Sequence, residues 1–216
     1  MLAAVIVASL LTCAPGAVVP PHRAPLVSVD STLQATFNRG ITFQQFVDAA
    51  VARRDGWLRL QREAVIPPAL IARARAVGGN WQLLVIALDG CGDSMNSVPY
   101  AARLVDSVPA ITLRIVSLDD AAAAANTHRT QDGRTATPTF ILLNARGDDA
   151  GCLVELPAPL RQWTQTARPT VSNDSLHSYR NAFYARDRGV SLATELVEIL
   201  EATRAGTPRC DRQTTR

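Results

Sequence analysis

Leu83-Leu84-Val85-Ile86-Ala87-Leu88-Asp89-Gly90-Cys91-Gly92-Asp93-Ser94 is the stretch on which the fold of this chain turns. An apolar run stops at Asp89-Gly90, and Cys91 stands where helical spacing begins. Trp81 to Leu88 reads as a strand buried on both faces of a mixed or parallel sheet, since neither face alternates with polar residues. Ser94 to Ser107 reads as a helix with Val98, Ala101, Ala102 and Val105 inward, tolerating Pro99 in its first turns or at a kink. Ile111 to Leu118 alternates Ile111, Leu113 and Ile115 against Thr112 and Arg114, a second strand. Strand, helix and strand together predict a right-handed βαβ unit. The thiol therefore sits at a strand-to-helix junction. There, unpaired N–H groups and the positive end of the helix dipole favour a thiolate over a thiol.

Further along, Thr137-Pro138-Thr139 leads into an apolar third strand, Phe140 to Leu143. Asn144-Ala145-Arg146-Gly147-Asp148 supplies a hairpin turn, and Gly151 to Leu156 the fourth strand. Asp119 to Asn126 is expected as a short alanine-rich helix. Pro157-Ala158-Pro159 and Arg168 to Asp174 read as loops, and Ser175 to Arg188 and Ser191 to Arg204 as helices punctuated by Gly189 and Gly206. Upstream, Thr42-Phe43-Gln44-Gln45 matches a capping box. Phe43, Phe46, Val47, Ala50 and Val51 then predict one amphipathic helix reaching Leu60. Pro67-Pro68 restarts the chain, and Ala69 to Val77 forms a short helix stopped by Gly78-Gly79.

Three segments in this order, Gly90-Cys91-Gly92-Asp93-Ser94, Gly133-Arg134-Thr135-Ala136-Thr137-Pro138-Thr139-Phe140 and Leu156-Pro157-Ala158-Pro159, resemble the thioredoxin family. They are similar to a group with a Trp-Cys-Gly-Asp-x site, a Gly-Arg-x-x-Pro-Thr-Phe strand and a proline-bearing segment after the last strand. The resemblance runs from Thr42 to Leu200. It implies an α/β, thioredoxin-like three-layer sandwich with a four- or five-stranded mixed sheet and extra N- and C-terminal helices. It also implies roles for particular residues: Cys91 as nucleophile, with Ser94 and Pro138 completing the catalytic set, Pro138 being held in cis beside the sulfur. Thr137 would then offer its backbone to an extended peptide, Gly92 would leave the approach open to another sulfur, and Arg134 would meet a substrate carboxylate or pin its own loop.

Three positions depart from the family pattern. Ser94 stands where a second thiol is usual; its hydroxyl is expected to donate to the thiolate, yet it cannot displace a mixed disulfide. Val85 replaces the buried aspartate six residues before the nucleophile, and Gly90 replaces the preceding tryptophan. Asp93 either disfavours the thiolate by like charge or complements the helix N-terminus, depending on where its side chain faces. The expected activity is thiol–disulfide exchange or redox sensing of monothiol type through Cys91, with protein or small-molecule thiols and disulfides as partners. No cofactor is expected beyond glutathione or another thiol as co-substrate. The alternative is a non-catalytic thioredoxin-fold binding module whose cysteine is not a tuned nucleophile.

Composition narrows the rest. The 216 residues carry 22 basic and 19 acidic side chains, a net charge of +3 too balanced for a nucleic-acid binder. Every basic residue is arginine, which excludes lysine-based chemistry. Residues 1–19 read as an export signal, with an apolar run followed by small residues. Thr12-Cys13 leaves open whether the product is released or lipid-anchored through Cys13, the one membrane attachment expected. Residues 20–41 are expected as a linker, 42–205 as the domain and 206–216 as a flexible tail. Beyond the signal remain Cys91, Cys152 and Cys210, an odd number that permits at most one intramolecular disulfide. Cys210, in the tail, is a candidate resolving thiol, and Cys152 a packed one. These cysteines and the three histidines are too scattered for a zinc site of the clustered kind, and no metal is expected.

Overall fold

The structure, a computed structural model, describes residues 29–210. The expected signal, Cys13 and the end of the tail lie outside them. Strands β1 (Trp81–Ile86), β2 (Ile111–Val116), β3 (Thr139–Leu143) and β4 (Asp149–Val154) form one four-stranded sheet in the order β2-β1-β3-β4. β1 and β2 are parallel, with Val85 opposite Ile115, and β1–β3 and β3–β4 are antiparallel, with Val85 opposite Phe140 and Thr139 opposite Val154. Helix α5 (Gly92–Asp106) makes the β1-to-β2 crossover.

Alternate residues of β1 supply two different cores, as the period of two in a strand requires. Leu83 and Val85 join Leu113, Ile115, Phe140 and Leu142 on one face. That face is covered by α2 (Phe43–Ala49), α3 (Arg54–Glu63), α4 (Pro68–Val77), α5 and α9 (Val190–Arg204). Leu84 and Ile86 join Ile141 and Leu143 on the other face, under α1 (Val29–Arg39) and α6 (Ala122–Thr127). This is a helix–sheet–helix sandwich, with β1 buried on both sides as its apolar run predicts.

Four expectations need correction. Residues 29–39 of the expected linker are helical: α1 buries Leu33 and Phe37 against the second face of the sheet. Among the described side chains of α1 two apolar residues at i, i+4 carry that contact, too few to outweigh the polar setting in a periodicity reading. The single helix expected over 43–60 is two, α2 and α3, broken at 50–53. The break is tertiary in origin, because Asp89 Oδ2 accepts the backbone N–H groups of Val51 and Ala52 at 2.9 Å each. Pro157-Ala158-Pro159 is the start of a helix, α7 (Ala158–Ala167), with Pro157 as its cap residue; proline suits that position because first-turn N–H groups lack intrahelical partners. Finally, the tail is held by Cys210, which is disulfide-bonded to Cys152 of β4.

Beyond α7, helix α8 (Asn173–Asp187) packs on it through Leu156, Leu160 and Tyr184. Trp163 stacks on Tyr179 there, with ring centroids 3.5 Å apart. This satellite core places α8 beside the first turn of α5.

Candidate functional site

β1 delivers the chain to a turn, Leu88 to Gly90, closed by a hydrogen bond from the Cys91 N–H to the Leu88 carbonyl (3.1 Å). Cys91 is the N-cap residue of α5, with extended dihedrals of −80° and 123°. Its Sγ takes the place of the usual capping oxygen, accepting from the Ser94 N–H at 3.4 Å. On its other side the thiol donates to the carbonyl of Thr137 at 3.1 Å. The Thr137–Pro138 bond is cis. Cys91, Ser94, Thr137 and Pro138 are thus brought together at one point, and the sulfur is half-buried. With Cys152 and Cys210 joined, Cys91 is the one free cysteine among the described residues.

Ser94 contributes differently from its expected role. Its side chain is fully buried, and its hydroxyl has no hydrogen-bond partner among the described residues. Its backbone N–H, not its hydroxyl, reaches the sulfur. Val85 is likewise fully buried, so β1 places no carboxylate beneath the thiol.

Asp93 is committed to α8. Its carboxylate accepts from the Tyr184 hydroxyl at 2.9 Å and pairs with Arg180 at 3.1 Å. Burial outweighs these partners and raises its pKa above the ordinary carboxylate value. Burial and the adjacent Asp93 push the Tyr184 phenol well upward as well. Arg134 is held between Asp132 (2.8 Å) and Glu155 (3.0 Å). Asp132 is drawn down to about 2, chiefly by that hydrogen bond from Arg134. Glu155 in turn lies 3.9 Å from Arg180, and its N–H donates to the Pro138 carbonyl at 2.8 Å. An alternating charge chain, Asp93–Arg180–Glu155–Arg134–Asp132, therefore ties the first turn of α5 to the cis-proline loop.

Sequence reasoning missed the residues that brace the cysteine turn from the α2–α3 break. Asp89 caps Val51 and Ala52, and those two N–H groups lower its pKa. Trp57, fully buried, donates its indole N–H to the Asp89 carbonyl at 2.9 Å. A tryptophan thus reaches this turn from α3 although Gly90 occupies the position before the cysteine. Arg53 adopts left-handed dihedrals (54°, 23°) and donates from Nε to the Gly90 carbonyl at 2.8 Å. Its guanidinium lies over Gly92: a Cβ built there would meet the Arg53 terminal atoms at 3.8 to 4.0 Å. Asp89 carried a signal, a carboxylate one residue before Gly-Cys in a turn that needs caps. Arg53 carried none.

Two comparisons place this geometry among known proteins. A family model described as thioredoxin matches residues 40–168. A protein of unknown function from Pseudomonas aeruginosa, solved at 1.5 Å, shares the fold with a TM-score of 0.62 and 20% identity, over 77% of this chain and 95% of that one. An HIV epitope-scaffold does so with a TM-score of 0.61 and 19% identity, over 78% and 97%. No curated protein matches the sequence. At these identities the two structures speak for the fold alone.

Proposed function

Because this chain belongs to the thioredoxin family, we propose that it carries out thiol–disulfide exchange, or senses thiol redox state, through a single working sulfur, Cys91. The observation that supports this most is the placement of a free, half-buried Sγ at the first turn of α5, opposite the cis-proline loop. The Cys91 thiolate attacks one sulfur of a disulfide R–S–S–R′; the S–S bond breaks, R′–S⁻ leaves, and Cys91–S–S–R forms. The partner disulfide is thereby reduced at one sulfur. With serine at 94 no neighbouring thiol resolves the product, so an external thiolate R″–S⁻, from glutathione or a protein thiol, attacks the R sulfur. That step forms R–S–S–R″ and returns the Cys91 thiolate.

The Ser94 N–H, 3.4 Å from Sγ, stabilises the anion in the first step and the departing sulfur in the last. The Thr137 carbonyl is the edge against which an extended peptide substrate aligns by β-type pairing. Export of the protein, by release or by a lipid anchor at Cys13, belongs to the same proposal. The Cys152–Cys210 disulfide supports it, since such bonds persist in oxidising compartments.

One observation favours a second reading, a binding module without catalysis: the Cys91 thiol donates to the Thr137 carbonyl and so occupies an acceptor that a peptide would use. Alkylation separates the two. Under the exchange reading, iodoacetamide at neutral pH modifies Cys91 in the folded protein faster than in the denatured chain, and a mixed disulfide accumulates on it. Slower labelling when folded, with no mixed disulfide, rejects exchange. Feeble turnover is expected in dithiol-driven insulin reduction, because each cycle waits on an external thiol.

A further inference from the structure

A second sulfur cluster lies away from Cys91. His128, Cys152 and Cys210, remote from one another in sequence, place one ligand atom each within 4.8 Å of one another. His128 and Cys152 are each only 1% exposed. We propose that the Cys152–Cys210 disulfide closes a latent Zn²⁺ site, which opens when the disulfide is reduced and takes its ligands from Cys152, Cys210, His128 and Asp149.

The imidazole is prepared for this. Its Nδ1 lies 2.8 Å from the Ala124 carbonyl; a carbonyl only accepts, so Nδ1 is the donor that fixes the ring and Nε2 is the nitrogen left for another partner. A backbone partner on the second ring nitrogen is how metal-binding histidines are oriented. Nε2 lies 3.1 Å from Asp149 Oδ2, close enough for one bound ion to meet both atoms. A tetrahedral zinc ion, with Zn–N near 2.0 Å and Zn–S near 2.3 Å, sets its donor atoms about 3.3 to 3.8 Å apart. The Nε2–Oδ2 pair is already close to that spacing, and the ligand atoms of His128, Cys152 and Cys210 lie within 4.8 Å of one another. Two thiolates, an imidazole and a carboxylate suit zinc among the common metals.

The tail is tied to β4 and α9 by contacts besides the S–S bond. The Cys152 N–H donates to the Arg209 carbonyl at 3.1 Å, Thr203 bonds the Ala150 carbonyl, and Arg209 pairs with Glu198. Gly151 makes the approach possible, since a Cβ there would lie 2.7 Å from the Arg209 carbonyl oxygen. Ala136 and Val154 flank the sulfurs and shield the metal from water. Opening the site needs a dithiol reductant: HS–R–SH plus the protein disulfide yields two cysteine thiols and a cyclic R disulfide, two electrons and two protons passing to the protein. Each thiol then gives its proton to solvent as Zn²⁺ binds.

The test uses the full chain, oxidised or reduced with excess dithiol and then freed of it, titrated with Zn²⁺ and with Co²⁺. The reduced protein is expected to take up one ion per chain, and Co²⁺ to show thiolate charge-transfer absorption; the oxidised protein shows neither. Cys152→Ser or Cys210→Ser abolishes the absorption, and Asp149→Asn weakens Zn²⁺ binding about 10- to 100-fold. Cys91→Ser leaves both signals unchanged, so failure here is distinguishable from failure of the Cys91 reading. If the reduced chain unfolds, refolding by Zn²⁺ supports the site. Lack of stoichiometric uptake by reduced protein, whether folded or unfolded, or uptake that survives both cysteine changes, overturns it.

Discussion

The two sulfur regions of this molecule are built on opposite plans. Around Cys91 the sulfur is single, half-buried and met by donors and acceptors of the backbone, with the Arg53 guanidinium over its approach. Around Cys152 the sulfurs are paired, with Cys152 and the neighbouring His128 buried. Under the proposed function the first region admits another sulfur, while the second holds a chain end down. On that reading reactivity and stability are separated within one small domain, and each is expected to be alterable without the other.

The largest effect is expected from Cys91→Ser, which should remove all mixed-disulfide capture and alkylation of the folded protein. A serine hydroxyl can make both hydrogen bonds of the thiol, so stability, read from the urea midpoint, should change by no more than ~0.5 kcal/mol. A large loss of stability would show that the open region is structural after all. Next comes Cys210→Ser. Releasing a crosslink that spans 58 residues is expected to cost about 2–4 kcal/mol, read as a lower urea midpoint. Cys91 alkylation should be unchanged; a parallel change would mean the regions are coupled.

A smaller effect tests the bracing of the cysteine turn. Asp89→Ala leaves the Val51 and Ala52 N–H groups uncapped and is expected to cost ~1–2 kcal/mol, with faster hydrogen exchange at 51 and 52. The charge chain gives a pH test. Asp132 is held at about 2, so the folded state binds its proton less tightly than the unfolded chain. Its stabilisation is present above the unfolded value near 3.9 and fades as pH falls toward 2. Asp93 is raised by burial, so its contribution has the opposite sign and declines as pH rises through its midpoint. Carboxyl-carbon NMR should resolve the two midpoints on opposite sides of the ordinary value, and Arg134→Ala should move Asp132 back up. The smallest effect belongs to Arg53→Ala. Two unit charges about 6 Å apart in water interact by ~0.7 kcal/mol, so exchange with a carboxylate-bearing disulfide should slow about threefold relative to a neutral analogue.

The sheet and its crossover were legible because their signals are local. The apolar run of β1, the alternation of β2 and the turn residues at 144–148 each identify an element without reference to the others. Cys91 could be placed at a helix N-terminus for the same reason. What escaped depends on contacts between distant residues. The break at 50–53 exists because of a carboxylate at 89. Arg53 reaches the site through a positive φ that nothing in its neighbourhood announces. The sulfur-histidine cluster joins residues from α6's end, β4 and the tail, so spacing argued against it. Ser94 shows a subtler limit: its hydroxyl was the expected donor to sulfur, but its backbone N–H makes that contact.

The tail crossing at Cys152 also bears on how the molecule behaves in a crowd. β2 and β4 are the outer strands, and among the described residues each is met by a single bridge from outside the sheet, Ile41 to Ile115 on one side and Cys210 to Cys152 on the other. An outer strand with free N–H and carbonyl groups is a template on which a neighbouring chain can add a strand. The side guarded by Ile41 is held by two backbone hydrogen bonds with Ile115, whereas the side guarded by Cys210 adds to a backbone hydrogen bond a covalent bond that reductants cut. Reduction weakens the guard on β4 alone, so self-association under reducing conditions is expected to begin along that strand.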